Sequence, residues 1–159
     1  MATTALPIRQ LEHSIRVETK KARAEMEWAV FYSRERETRP VRMTVRLGLT
    51  TLFLKFVLAT IARNQKLLIR AYQMADFTRC SNEEILKKAE SLERIIQHGR
   101  AVLCMLNSFG RAKKLWESSL SKLEEQLDHF DCIATSLRMS ADPEASLLMG
   151  FAVEQMAAD

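Results

Sequence analysis

The sequence predicts an all-α protein, an antiparallel up-and-down bundle of about four long helices with a short C-terminal helix added. Three observations carry this expectation. Only four Gly and three Pro occur in 159 residues, too few turn formers for a many-stranded fold. Apolar residues recur at spacings of three and four along most of the chain, which is the repeat of one helix face. Ser81, followed three residues later by Glu84, has the form of a capping box, in which the two side chains satisfy backbone N–H groups that a helix start leaves unpaired.

The first helix is expected over 8–36, where Ile8, Leu11, Ile15, Ala22, Met26, Ala29 and Val30 share a face. It ends before Pro40, because a proline pushes the residue before it out of the helical region and lacks an N–H. Over 41–47, Val41, Met43, Val45 and Leu47 alternate with Arg42, Thr44 and Arg46, a strand-like pattern. Val41, Val45, Leu49, Leu52 and Phe56 equally fit helical spacing. With no second strand nearby to pair with, helix is the expectation.

Residues 47–77 form an unusually apolar helix of about 45 Å. Its polar positions line up as a stripe one side chain wide: Gly48, Thr51, Lys55, Ala59, Ala62, Lys66, Arg70 and Gln73. A helix apolar over most of its circumference needs cover from other helices, a partner or lipid. The expectation is a spine enclosed by the other three helices. The next helix, over 82–108, carries the stripe Ile85, Ala89, Leu92, Ile96, Gly99, Leu103 and Leu106. Gly99 costs helix propensity there and marks a close helix crossing.

After a break at Asn107, Ser108 and Gly110, the next stripe reads Ala112, Leu115, Ser119, Leu123, Leu127, Phe130, Ala134 and Leu137. Asp142 then caps a short last helix with Pro143 at its first position and Glu144 in its first turn. Neither a repeat nor an interdomain linker interrupts the chain. Residues 1–159 read as a single domain, with 1–7 expected to be disordered.

With 47% hydrophobic and 28% charged residues, the composition is that of a globular chain. The net charge of +4 hides an asymmetry: residues 1–79 carry 15 Lys/Arg against 7 Asp/Glu, and residues 80–159 carry 9 against 13. The halves are +8 and −4. Complementarity within the chain is the first reading, and an acidic partner for the basic half the second. Cys80, Cys104 and Cys132 are odd in number, widely spaced and without a CxxC pair, which suits neither a disulfide framework nor zinc. A reducing, cytoplasmic setting is expected, and the N-terminus lacks the apolar run of a secretory signal.

Few constellations suggest chemistry. Glu125, His129 and Cys132 fall at i, i+4 and i+7, a possible ligand face for a metal, but residue 128 is Asp where a di-iron helix has His, and no second ligand helix exists. Cys104, beside Leu103 and Met105, reads as a buried structural cysteine and Cys132 as half-buried. No phosphate-binding glycine loop, GxSxG or HExxH occurs. Neither a cofactor nor an enzymatic activity is therefore expected.

The basic run Arg34, Arg36, Arg39, Arg42 and Arg46 is the candidate binding strip for phosphate or an acidic partner. The function expected is that of a non-enzymatic helical interaction protein, an adaptor, subunit or regulatory factor whose surplus apolar surface meets a protein partner or a second copy. The alternatives are a nucleic-acid-associated factor using the 34–46 strip and a membrane-associated protein using 47–62, a segment short of the roughly 20 apolar residues that span a bilayer.

Overall fold

The computed structural model describes residues 8–34, 40–108 and 113–141, with side chains at 8–29, 48–108 and 116–141. Within them the chain forms four α-helices: α1 Ile8–Arg34, α2 Pro40–Met74, α3 Asn82–Asn107 and α4 Lys113–Ala141. They alternate in direction as an up-and-down bundle. Residues 41–47 are helical, so the alternating pattern there is not a strand, and Pro40 takes the first helical position, where its missing N–H costs nothing. The expected C-terminal helix from Asp142 and the segment 1–7 lie outside the described residues.

The lateral order of the helices is 1-2-4-3. Helix α1 packs on α2 and α3, α4 packs on α2 and α3, and α2 and α3 face each other across the diagonal. Thr50 of α2 donates to Glu25 and Tyr72 to Glu12, which makes α1 and α2 antiparallel. Trp116 of α4 donates to the Thr51 carbonyl and Gln126 to that of Ala62, which makes α2 and α4 parallel. The bundle is thus two antiparallel hairpins, α1–α2 and α3–α4, laid side by side.

Two apolar clusters fill it. One joins Leu11 and Ile15 to Leu68, Tyr72, Leu92, Leu127 and Phe130. The other joins Ala22 and Met26 to Leu54, Leu58, Val102, Leu106 and Trp116. Along α2 they are separated by Gln65, only 1% exposed. Helix α2 stops at Met74, three residues before the expected end. Asp76 accepts from both the N–H and the hydroxyl of Thr78, and Cys80 N–H donates to the Phe77 carbonyl, a local turn that competes with helix. Phe77 folds back to stack on Tyr72 at 5.9 Å between ring centroids.

Ser81 caps α3, its hydroxyl accepting from Glu84 N–H at 3.2 Å. Only half of the expected box forms, because among the described residues no bond returns from Ser81 N–H to the Glu84 carboxylate. Gly99 does mark a close crossing: a Cβ built there would stand 2.8 Å from Cδ2 of Leu127 on α4. Outside this contact Arg138 forks onto Glu93, and Arg100 pairs with Asp131 and, at 3.7 Å, with Asp128. The Arg138 hydrogen bond holds the Glu93 carboxyl below its ordinary range, and the arginine moves up in return.

Three expectations about side-chain placement need correction. The spine is not enclosed: Thr50, Leu54, Val57, Leu58 and Ile61 of α2 meet the core, while Leu49, Leu52 and Phe56, from the periodic stripe read in the sequence, face out. The first half of α4 turns Trp116 and Leu120 inward, not the register of Leu115 and Ser119; Ser119 is half-buried at the edge, and the Leu115 side chain lies outside the described residues. Cys104 and Cys132 are exposed, since each sits on the side of its helix away from the Leu92–Leu106 and Leu127–Phe130 contacts.

Candidate functional site

The outward face of α2 changes character along its length. At its N-terminal end Leu49, Leu52, Phe53 and Phe56 follow one another at i, i+3, i+4 and i+7, with 53%, 55%, 41% and 71% of their surfaces exposed. Helical spacing gathers them into one apolar stripe. About two turns further along the same face come Arg63, Lys66 and Arg70, all exposed. Of the polar stripe read in the sequence, Gly48, Lys55, Ala59, Lys66, Arg70 and Gln73 are exposed, Thr51 is half-buried and Ala62 is buried, and the stripe borders a solvent face that is itself half apolar.

The cations open onto a groove of about 640 Å³ between α2 and α4, to which α4 contributes Lys122, Gln126 and His129. Gln126 Nε2 donates to the Ala62 carbonyl at 2.9 Å. Its Oε1 is shut off from water and has no hydrogen-bond partner. Glu125 also lines the groove. Among the described residues none of Arg63, Lys66, Arg70 and Lys122 forms an ion pair. The ion pairs that do form lie within α1, within α3 or between α3 and α4. Among the described residues, then, no ion pair joins the basic half to the acidic half; the side chains of the 34–46 arginines lie outside them.

On the opposite side of the bundle a second cleft, of about 770 Å³, separates α1 from α3. Its centre is Glu12, 5% exposed. Tyr72 Oη donates to Glu12 Oε1 and Ser91 Oγ to Oε2, both at 2.7 Å. Arg16 reaches Oε2 at 3.5 Å and the Ser91 hydroxyl at 3.2 Å. A buried carboxylate left alone would cost several kcal/mol; here its lone pairs are taken, and it ties α1, α2 and α3 together. Burial first, then the charge and hydrogen bond of Glu12, push the Tyr72 phenol far above its ordinary range.

The other residues singled out in the sequence are placed as follows. Arg34 ends α1, and Arg42 and Arg46 lie in the first turns of α2, with their side chains outside the described residues; Arg36 and Arg39 lie outside the described residues altogether. Glu125, His129 and Cys132 share a side of α4 and are all exposed. Among the described residues no three His, Cys, Asp or Glu side chains gather closely enough to hold a metal ion, and no helix is long and apolar enough to cross a membrane.

Sequence reasoning missed the Glu12 bracket and the α2–α4 groove. The bracket joins positions up to 79 apart, and no local spacing signals it. The groove had a partial signal in the alignment of Lys66, Arg70 and Gln73, but the arrival of Lys122 and His129 depends on which helix packs beside α2. No protein-family model, curated protein or solved structure matches the chain.

Proposed function

We propose that the chain is a non-enzymatic helical interaction protein, an adaptor, subunit or regulatory factor, that docks on another protein or on a second copy of itself through the outward stripe of α2. The observation that supports this is the exposure of Leu49, Leu52, Phe53 and Phe56 on consecutive turns of one helix. Together they offer on the order of 400 Å² of apolar surface, within the size of the largest patch a monomer ordinarily shows and often functional. Two such stripes stacked on each other bury about 800 Å² in total, short of the roughly 1,200 Å² of a stable interface. Self-association through the stripe alone is therefore weak, and a tight complex needs a partner that also covers neighbouring surface.

The test is the mass in solution at tens of micromolar, set against the 18.3 kDa of the chain, for the parent and for Leu52→Asp with Phe56→Asp. The parent is expected to exceed the monomer mass or to hold a partner in stoichiometric amount. The double variant is expected to be monomeric and partner-free with unchanged helicity. A parent that is strictly monomeric and binds nothing would sink the proposal.

A further inference from the structure

Residues 40–75 carry six Lys/Arg and no Asp/Glu, whereas residues 139–159 carry four Asp/Glu and no Lys/Arg. Three of the six cations, Arg63, Lys66 and Arg70, line the α2–α4 groove together with Lys122, around the exposed Ala59 and the edge of Ile69. Like charges gathered on one wall repel one another, so a segment that brings carboxylates there is favoured. Helical spacing over 143–158 puts Leu147, Leu148, Phe151 and Ala152 on one face, with Glu154 at its border. Cations around an apolar floor are thus matched, elsewhere in the same chain, by carboxylates around an apolar stripe.

The register of the bundle decides which surface that segment meets. Gln126 is level with Ala62 and Trp116 with Thr51, offsets of 64 and 65 residues. Ala141 therefore ends α4 level with about residue 77 of α2, just past the Gln73 end of the groove. From there the groove runs back to Ala59 over about 21 Å, a length that about 14 residues of helix cover. A turn at Asp142, with Pro143 in the first helical position, aims a helix down it antiparallel to α4. Counting back from that turn sets Phe151 level with about residue 69 and Glu154 level with about residue 66, the positions of Ile69 and Lys66. Leu147 arrives near Met74, which is 85% exposed. The other flank of α4 does not suit the segment, because Glu93, Asp128 and Asp131 already hold Arg138 and Arg100 there and further carboxylates are repelled. The α1–α3 cleft, with Arg9 and Lys88 among its walls, lies on the side of the bundle away from α4.

We infer that residues 142–159 form a helix that folds back into the α2–α4 groove of their own chain, with its apolar face on Ala59 and Ile69 and with Glu154 and Asp159 among Arg63, Lys66 and Lys122. The groove is then an internal docking surface. It is distinct from the apolar stripe of α2 and does not depend on it.

The experiment treats the full chain with a carbodiimide, which joins a lysine amine to a carboxylate that it touches, and reads the linked peptides by mass spectrometry. Unlabelled and isotope-labelled chains are mixed in equal amounts, so that links within a chain and links between chains differ in mass. The His129 ring signals in NMR report on the groove, which the ring lines. Links from Lys66 or Lys122 to Glu154 or Asp159 are expected within single chains. In the full chain carrying Leu148→Asp with Phe151→Asp, their yield is expected to fall by about tenfold or more and the His129 signals to move. The link between Lys87 and Glu83, 3.7 Å apart in α3, should persist in that variant and shows that the bundle is intact.

No link from Lys66 or Lys122 to residues 142–159 overturns the inference. So do links that form only between differently labelled chains, which would make the occupant the segment of a second copy, and links that go instead to Lys87 or Lys88 in the α1–α3 cleft. A yield that the double variant leaves unchanged overturns it as well.

Discussion

Replacing Gly99 by alanine sets two opposed effects of known size against each other. Alanine in a helix interior is favoured over glycine by about 1 kcal/mol. The new Cβ would stand 2.8 Å from Leu127 Cδ2 and 3.1 Å from Cδ1, and Leu127 is 1% exposed, so its methyl groups have nowhere to retreat. Overpacking of this kind costs about 1–3 kcal/mol. The balance is a loss of about 1 kcal/mol, read as a lower urea midpoint by far-UV circular dichroism and a melting temperature lower by about 2–4 °C. In a Leu127→Ala background, itself destabilised by about 2–5 kcal/mol, the clash is gone and the same change should stabilise by about 1 kcal/mol. A Gly99→Ala variant that stabilises the parent, or acts alike in both backgrounds, would refute the close crossing as the cause.

Alkaline stability should fall through Tyr72. Its ordinary value is 10.0 and the folded state raises it, so above pH about 10 the unfolded chain releases a proton that the folded chain keeps, and stability declines as pH rises. Tyr72→Phe should flatten this decline while costing about 1–3 kcal/mol at neutral pH, because Glu12 loses a donor; a decline of unchanged steepness in denaturant titrations from pH 8 to 11, taken as roughly bracketing that window, would count against it. At the start of α3, Ser81→Ala should cost about 1 kcal/mol, whereas Glu84→Ala should cost a few tenths, since the glutamate contributes only its favourable place near the helix start. Equal losses for the two would mean that the full capping box forms in solution.

Much of the fold was legible because its signals are local. Pro40 and the helical spacing through Leu49 and Phe56 were enough to place α2, and the serine cap located the start of α3 to the residue. The choice of which face of α2 turns inward was not legible. Leu49, Leu52, Phe53 and Phe56 are as apolar as Leu54, Val57, Leu58 and Ile61, and hydrophobic periodicity loses its power when both faces of a helix carry it. The start of α4 failed for a related reason. The stripe read there ran through Ser119, whereas Trp116 and Leu120, 1% and 6% exposed, take the core. The Glu12 bracket and the cationic groove depend on contacts between helices distant in sequence, which a one-dimensional pattern does not contain.

The 1-2-4-3 order has a mechanical consequence. Contacts within each hairpin begin near its turn, as between Thr50 and Glu25, 25 residues apart, whereas the hydrogen bonds across the plane where the two hairpins meet close loops of 64 to 79 residues, so the longest loops of the chain close on that plane. That plane has two edges. Along one, Glu12 and Ser91 fasten α1 to α3; along the other, Gln126 reaches Ala62 beside the groove. Cutting the Gln126 bond on the second edge would lower the free energy of separating the hairpins while each hairpin keeps its own contacts. Amide exchange in all four helices would quicken together, although that bond touches only two of them.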